Sequence, residues 1–191
     1  MPLKSIVKVS HLSNLSDARY CAGMGVDLLG FGVIPGTEHY VPPALFQDIR
    51  GWISGPKIIA ELYGISSAQD VRSANETYAP DYFELTIDEF RAYRDDLTLP
   101  CIVYFPSVAE ARSLSGSDGI SHILVDESTS CPDTSPIRLP VLINITSLVK
   151  LEEKLADGCF HGYVLGGPRE LRPGVTNYDQ LGVILEALEE D

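Results

Sequence analysis

Residues 6–35 read IVKVSHLSNLSDARYCAGMGVDLLGFGVIP. An apolar run ends at Ser10, a helix-like segment follows, and a second apolar run begins at Val26. Asn14-Leu15-Ser16-Asp17 offers a cap before Ala18–Met24, and Gly25 ends that helix. A strand, a helical crossover and a second strand form the opening unit of a parallel sheet. Ser10 and His11 stand where the first strand ends, the place where such sheets carry their chemistry.

The same beat runs on along the chain. Strand-like runs occupy Ser5–Ser10, Val26–Pro35, Pro56–Gly64, Asp81–Ile87, Pro100–Ser107, Ser121–Glu127, Pro140–Thr146 and Phe160–Gly166. Their Val, Ile, Leu, Phe and Tyr content is that of strands covered on both faces. Helical segments are expected at Pro43–Ile53, Ala68–Tyr78, Glu89–Asp96, Leu148–Ala156 and Tyr178–Leu188. The stretch after the sixth strand carries Pro132, Pro136 and Pro140, so a poorly formed or missing helix is expected there. Eight strands alternating with helices predict an α/β fold, a compact (β/α)8 TIM barrel, as a single domain over residues 1–191. At 191 residues it is smaller than the ~250 typical of such barrels. A doubly wound open sheet is the runner-up, but no G-x-G-x-x-G follows the first strand to support its dinucleotide-binding form.

With 45% hydrophobic and 21% charged residues, the composition is that of an ordinary globular protein. No run of ~18–20 apolar residues and no signal-like start is present, so the reading is cytoplasmic, with no membrane partner. A net charge of −13 repels phosphate backbones and argues against nucleic acid. Cys21, Cys101, Cys131 and Cys159 are scattered without a C-x-x-C pair, and are read as isolated thiols filling the core. No cofactor and no metal site is expected. The partner is read as a small-molecule ligand, carboxylated or phosphorylated, and the oligomeric state is left open.

Lys8-Val9-Ser10-His11, Ser13-Asn14, Asp17-Ala18, Gly25-Val26-Asp27, Gly30-Phe31 and His39-Tyr40-Val41 together resemble the start of the phosphoribosylanthranilate isomerase family. That family opens with Lys-Ile-Cys-Gly, then Thr-Asn, Asp-Ala, Gly-Ala-Asp, and Gly-Phe ahead of a loop ending Arg-Tyr-Val. The match is specific over about 35 residues and thinner beyond. DYFELTIDE, HILVDES and GGPRELRPGVTNYDQL follow the family's fourth, sixth and last strands in order. The resemblance implies a barrel fold and an Amadori rearrangement in tryptophan biosynthesis. It also implies that Asp126 is the general acid.

Several positions depart from the family pattern. Ser10 replaces the cysteine base, His11 the following glycine, and His39 the arginine that grips the substrate carboxylate. A thiol supplies thiolate near neutral pH; an unassisted serine hydroxyl does not. After the seventh strand, Asn144 and Thr146 stand where a glycine-rich phosphate turn belongs, while Gly166-Gly167 survives after the eighth. Tyr163 and Leu165 stand where that last strand carries Asp and Ser, and STSCPDTSPIRL replaces the glycine-rich loop after strand six.

Each position has a structural reading beside the functional one. Ser10 is a small residue packing at the barrel mouth or a base assisted by His11. His11 is a general base or a loop residue bonded to backbone. Asp126 is an acid or a cap. Glu84 and Thr86 share one side of their strand, which by resemblance is the barrel interior. Glu84 would there be a second acid beside Asp126, pushing one pKa up; Glu61 raises the same question. Gly166-Gly167 is a phosphate turn or only a turn. The reading is therefore a divergent isomerase with Asp126, His11 and Ser10 as catalytic residues. His39, Glu84, Asn144, Thr146, Gly166 and Gly167 would bind substrate. The alternative is a catalytically inactive binding or regulatory barrel. A weaker third is a different sugar isomerase or aldolase using Lys8, unless Lys8 is a paired core residue.

Overall fold

In the computed structural model, residues 3–112, 119–131, 138–172 and 175–190 are described. Eight parallel strands close into a barrel in chain order: β1 (Ile6–Ser10), β2 (Leu28–Gly32), β3 (Lys57–Glu61), β4 (Tyr82–Thr86), β5 (Cys101–Tyr104), β6 (Ile120–Val125), β7 (Val141–Ile145) and β8 (Gly162–Gly166). β1 closes the ring, pairing Ile6 with Gly162 and Ser10 with Gly166 on β8, and Lys8 with Leu28 on β2. Helices α1 (Leu15–Gly23), α2 (Pro43–Arg50), α3 (Ala68–Tyr78), α4 (Ile87–Tyr93), α5 (Val108–Arg112), α6 (Leu148–Asp157) and α7 (Asp179–Ala187) surround it. No helix stands between β6 and β7 among the described residues, as the prolines require; residues 132–137 of that crossover lie outside them.

Period-two alternation sorts the side chains. Val7, Val9, Leu29, Phe31, Phe83 and Leu85 face outward into the layer under the helices. Leu28, Ile59, Ile102, Leu124, Leu142 and Val164 face inward and fill the barrel's lower interior. Lys8, Ser10, Glu61 and Glu84 continue the inward rows upward and are all buried. The barrel is thus apolar below and polar toward its C-terminal end, where βα loops build active sites.

Local chemistry explains the helix starts. Asn14 caps α1 by accepting the Asp17 N–H at 2.9 Å, so the helix begins at Leu15, before the expected Ala18. Thr86, the last residue of β4, caps α4 and makes a capping box with Glu89, so Asp88 falls inside the helix. The second strand stops at Gly32 instead of Pro35. Val33 N–H makes the last bond to β3, at the Glu61 carbonyl, and beyond it Pro35 has no N–H to donate and Gly36 turns the chain with φ of 85°. Helix α5, with five residues, is too short to show a period and was not expected. Between β8 and α7 the chain forms an antiparallel pair, β9 (Arg169–Arg172) with β10 (Val175–Asn177), which was not read from the sequence.

Two cysteines correct the reading of isolated thiols. Cys131 and Cys159 are joined as a disulfide, with Cα atoms 5.8 Å apart. Beside it the Lys154 ammonium donates to the Thr129 carbonyl at 2.8 Å, so α6 and the turn that follows it each hold the start of the β6–β7 crossover at one point. Cys21 and Cys101 are free and buried. No helix among the described residues is long and apolar enough to cross a membrane.

Candidate active site at the barrel mouth

The upper interior is organised around Lys8. Its Nζ lies 2.7 Å from Glu61 Oε1, 2.9 Å from Glu84 Oε2 and 2.5 Å from Ser10 Oγ. Glu61 and Glu84 are register neighbours on β3 and β4, so one ammonium bridges two buried carboxylates. Burial alone would drive Lys8 toward neutrality, but the two carboxylates outweigh it and hold its pKa above the ordinary value. Burial also works against the Glu61 charge, yet Lys8 and then His11 keep that carboxyl below its usual range. Glu84 goes the other way. Burial raises it, and with the Glu61 charge beside it Lys8 cannot bring it back down. Gly30 makes this arrangement possible: a Cβ there would lie 2.1 Å from Glu61 Oε1 and 2.8 Å from Lys8 Nζ.

Lys8 is therefore a paired interior residue, and it leaves Ser10 no freedom to act as a base. Ser10 Oγ accepts the charged Lys8 N–H, an interaction that stabilises oxygen lone pairs rather than freeing them to take a proton.

His11 has a φ of 59°, the left-handed conformation glycine adopts freely and a side chain adopts at about 1–2 kcal/mol. Its backbone N–H donates to Glu61 Oε2 at 3.2 Å, and its ring stacks on His39 with centroids 4.0 Å apart and planes 15° from parallel. His39 comes close because Gly32 lacks a side chain; a Cβ there would lie 2.5 Å from the His39 carbonyl oxygen. The His11 Nε2 is 3.8 Å from Glu61 Oε2. Burial, opposed by Glu61 and reinforced by His39 and Lys8, moves the imidazole below its ordinary pKa. His11 is thus neutral at neutral pH, the form that accepts a proton.

Asp126 stands just past β6. Tyr104 OH donates to its Oδ2 at 2.6 Å and Asn144 Nδ2 to its Oδ1 at 3.3 Å. The bond to the carboxylate pushes the Tyr104 phenol up to about 12. Both of its oxygens thus accept from neutral side chains.

Ser10, His11, Asp126, Asn144, Thr146 and Gly166 line one cavity of about 490 Å³. An adjoining cavity of about 310 Å³ shares Ser10, His11 and Asn144 and adds Tyr63, Glu84, Thr86 and Tyr104. His39 lines neither cavity and meets the mouth only by stacking on His11. Glu84, expected as a second acid near Asp126, is ion-paired with Lys8 and accepts the Tyr63 OH at 2.9 Å.

Two groups expected at a phosphate are engaged elsewhere. The Thr146 OH and N–H both donate to Glu127 Oε2, at 2.6 and 3.2 Å. The Gly167 N–H donates to the Ser10 carbonyl at 2.8 Å, where a Cβ would come to 3.0 Å. Gly167 is a close crossing of two strand ends. It lines a third cavity with Thr146, Gly166 and Gln180, of about 340 Å³. The Glu127–Thr146 bond and the roles of Tyr63 and Tyr104 were not read from the sequence beyond their place at strand ends. The available signal was a polar residue at an inward position of an apolar strand.

The fold and this mouth define a (β/α)8 barrel whose C-terminal face presents an imidazole and a hydrogen-bonded carboxylate to one cavity. No family model matches the chain. Over 105 residues, 51% of its length, it is 31% identical to the N-(5'-phosphoribosyl)anthranilate isomerase of Saccharomyces kudriavzevii. The match spans 46% of that enzyme, about half its length. The fold superposes on phosphoribosylanthranilate isomerase of Thermus thermophilus with a TM-score of 0.73 at 20% identity, covering 96% of this chain and 98% of the other. It also superposes on a phosphoribosylanthranilate isomerase in complex with reduced 1-(o-carboxyphenylamino)-1-deoxyribulose 5-phosphate, with a TM-score of 0.75 at 15% identity over 95% and 97% of the two chains. The chain resembles the phosphoribosylanthranilate isomerases, in sequence over half its length and in fold over nearly all of it.

Proposed function

We propose that the protein catalyses an Amadori-type isomerisation of a phosphoribosyl amine, as a divergent phosphoribosylanthranilate isomerase of tryptophan biosynthesis in the cytoplasm. The observation that carries the reading is the meeting of His11 and Asp126 in one cavity at the barrel mouth. The chemistry needs a proton delivered to the furanose ring oxygen and a proton removed from C2. Asp126, once protonated, is the donor, and ring opening gives an iminium at C1. His11, neutral through burial, takes the C2 proton. Ser10 is a wall of the site and not its base. His39 stands where an arginine would grip the substrate carboxylate, and Asn144, Thr146 and the Gly166-Gly167 turn contribute the remaining walls.

The second reading, an inactive small-molecule-binding barrel, is favoured by one observation: the Thr146 and Gly167 donors are already satisfied within the protein. Complementation of a tryptophan auxotroph lacking the isomerase separates the two. Growth with the wild-type chain, lost with Asp126→Asn or His11→Asn at equal protein level, supports the enzyme. No growth with a folded, expressed wild-type chain supports the binding barrel.

A further inference from the structure

The loop after β6 and the end of β7 meet in a contact that the proton chemistry above does not use. Glu127, one residue beyond Asp126, turns its carboxylate across to Thr146. A single oxygen, Oε2, accepts both the Thr146 OH at 2.6 Å and the Thr146 N–H at 3.2 Å. The Thr146 carbonyl accepts the Gln180 amide at 2.6 Å, so every polar group of Thr146 is engaged within the protein. A backbone N–H and a hydroxyl converging on one point are donors suited to a carboxylate or phosphate oxygen. Here the protein supplies that oxygen itself.

The contact stands at a strategic place. Thr146 and Gly166 line both the mouth cavity of about 490 Å³ and the third cavity of about 340 Å³ beside α7. The ends of the seventh and eighth strands are where barrels of this kind often seat a phosphate. Among the described residues no Lys or Arg lines these two cavities or the adjoining one of about 310 Å³. An anion entering there meets the carboxylates of Asp126 and Glu127 without a balancing cation among those walls. The backbone under Glu127 is fixed. The Thr129 N–H donates to the Asp126 carbonyl at 2.9 Å and closes a turn, and the Thr129 carbonyl accepts the Lys154 ammonium at 2.8 Å. Glu127 is only half-buried, so its side chain has water to turn into without moving that turn.

Resting on the reading that the mouth takes a phosphorylated ligand, we infer that Glu127 is its specificity-determining residue: its carboxylate occupies the Thr146 donors as an internal anion, and a ligand's phosphate binds there only by displacing it. The phosphate gains from Thr146 what Glu127 gives up, so the exchange yields little net affinity. A neutral sugar faces no such competitor.

Calorimetry tests this with ribose 5-phosphate, and with ribose as the uncharged control, on wild type, Glu127→Ala and the double variant Glu127→Ala/Thr146→Val at matched thermal midpoints. Glu127→Ala should bind ribose 5-phosphate ~10-fold or more tightly than wild type, with ribose binding unchanged, because two charge-assisted hydrogen bonds become free for the ligand. Adding Thr146→Val removes the hydroxyl donor and should take back most of that gain. Equal affinity of wild type and Glu127→Ala for ribose 5-phosphate, no detectable binding by either, or a gain that survives Thr146→Val undiminished overturns the role of Glu127. None of these results requires turnover. A wild type that isomerises N-(5'-phosphoribosyl)anthranilate while the two affinities are equal loses only the Glu127 inference; an inactive wild type whose Glu127→Ala variant shows the gain loses only the isomerase reading.

Discussion

Replacing Lys8 by methionine removes a cation and leaves its shape. In the wild type one ammonium lies within 3 Å of Glu61, Glu84 and Ser10, and both carboxylates are at most 2% exposed. Removing one partner of a buried ion pair typically costs about 3–5 kcal/mol, because the other charge stays behind unpaired. Here two charges stay behind, so the upper half of that range is expected. For a chain of this size each 1 kcal/mol moves the midpoint by about 2–4 °C, so Lys8→Met should unfold roughly 10–20 °C lower at pH 8. The effect must depend on pH, with a definite sign. Without Lys8, both carboxyls have folded-state pKa values raised above the ~4.3 of an unfolded glutamate. Their contribution to stability is then full below that value and is lost as pH rises through the raised folded-state values. The gap between variant and wild type therefore widens from pH 5 to pH 8. Urea unfolding at both pH values measures it. Adding Glu61→Gln to Lys8→Met should recover part of the loss by removing one stranded charge. A Lys8→Met protein within about 1 kcal/mol of wild type at pH 8, or a gap that does not change with pH, refutes Lys8 as the counter-ion of this cluster.

The glycine that makes room for the cluster gives a second check. Gly30→Ala should lose about 1–3 kcal/mol, since its Cβ runs into Glu61 and Lys8, whereas Gly23→Ala, with nothing within 4 Å, should be neutral or slightly stabilising in a urea melt. Thiol titration of denatured, unreduced protein should find two thiols, Cys21 and Cys101, and four after reduction; four before reduction would remove the Cys131–Cys159 bond. Cys159→Ser should cost about 3–4 kcal/mol by loop entropy, for a separation of 28 residues.

The barrel was legible because its signal is repeated. Eight apolar runs, each followed by turn residues, leave few topologies, and errors at single strand ends do not change the count. That no helix stands among the described residues after β6 was legible for the same kind of reason, since proline removes donors wherever it falls. Helix α5 and the β9–β10 pair were not, because five helical residues or three paired ones carry no period. The site was half legible. That Ser10, His11, Asp126 and Asn144 share a mouth follows from their place at strand ends alone. Which carboxylate pairs with which cation does not, because that depends on register. Glu61 and Glu84 meet because β3 and β4 pair them side by side, and Lys8 reaches them across the bare Gly30. The His11–His39 stack needed Gly32 to let the loop return. In both cases the decisive residue is a glycine on β2 whose lack of a side chain is read easily, while what fills its space is not. The Cys131–Cys159 pair was hidden because a separation of 28 residues says nothing of where two chain segments meet.

The account rests on Asp126 and His11 performing proton transfer on a phosphoribosyl amine, and purified protein with N-(5'-phosphoribosyl)anthranilate tests it most directly. Turnover by the wild type, reduced ~100-fold or more in kcat by Asp126→Asn with the thermal midpoint unchanged, is the predicted result. Absence of turnover in the folded wild type, or equal turnover in Asp126→Asn, contradicts it.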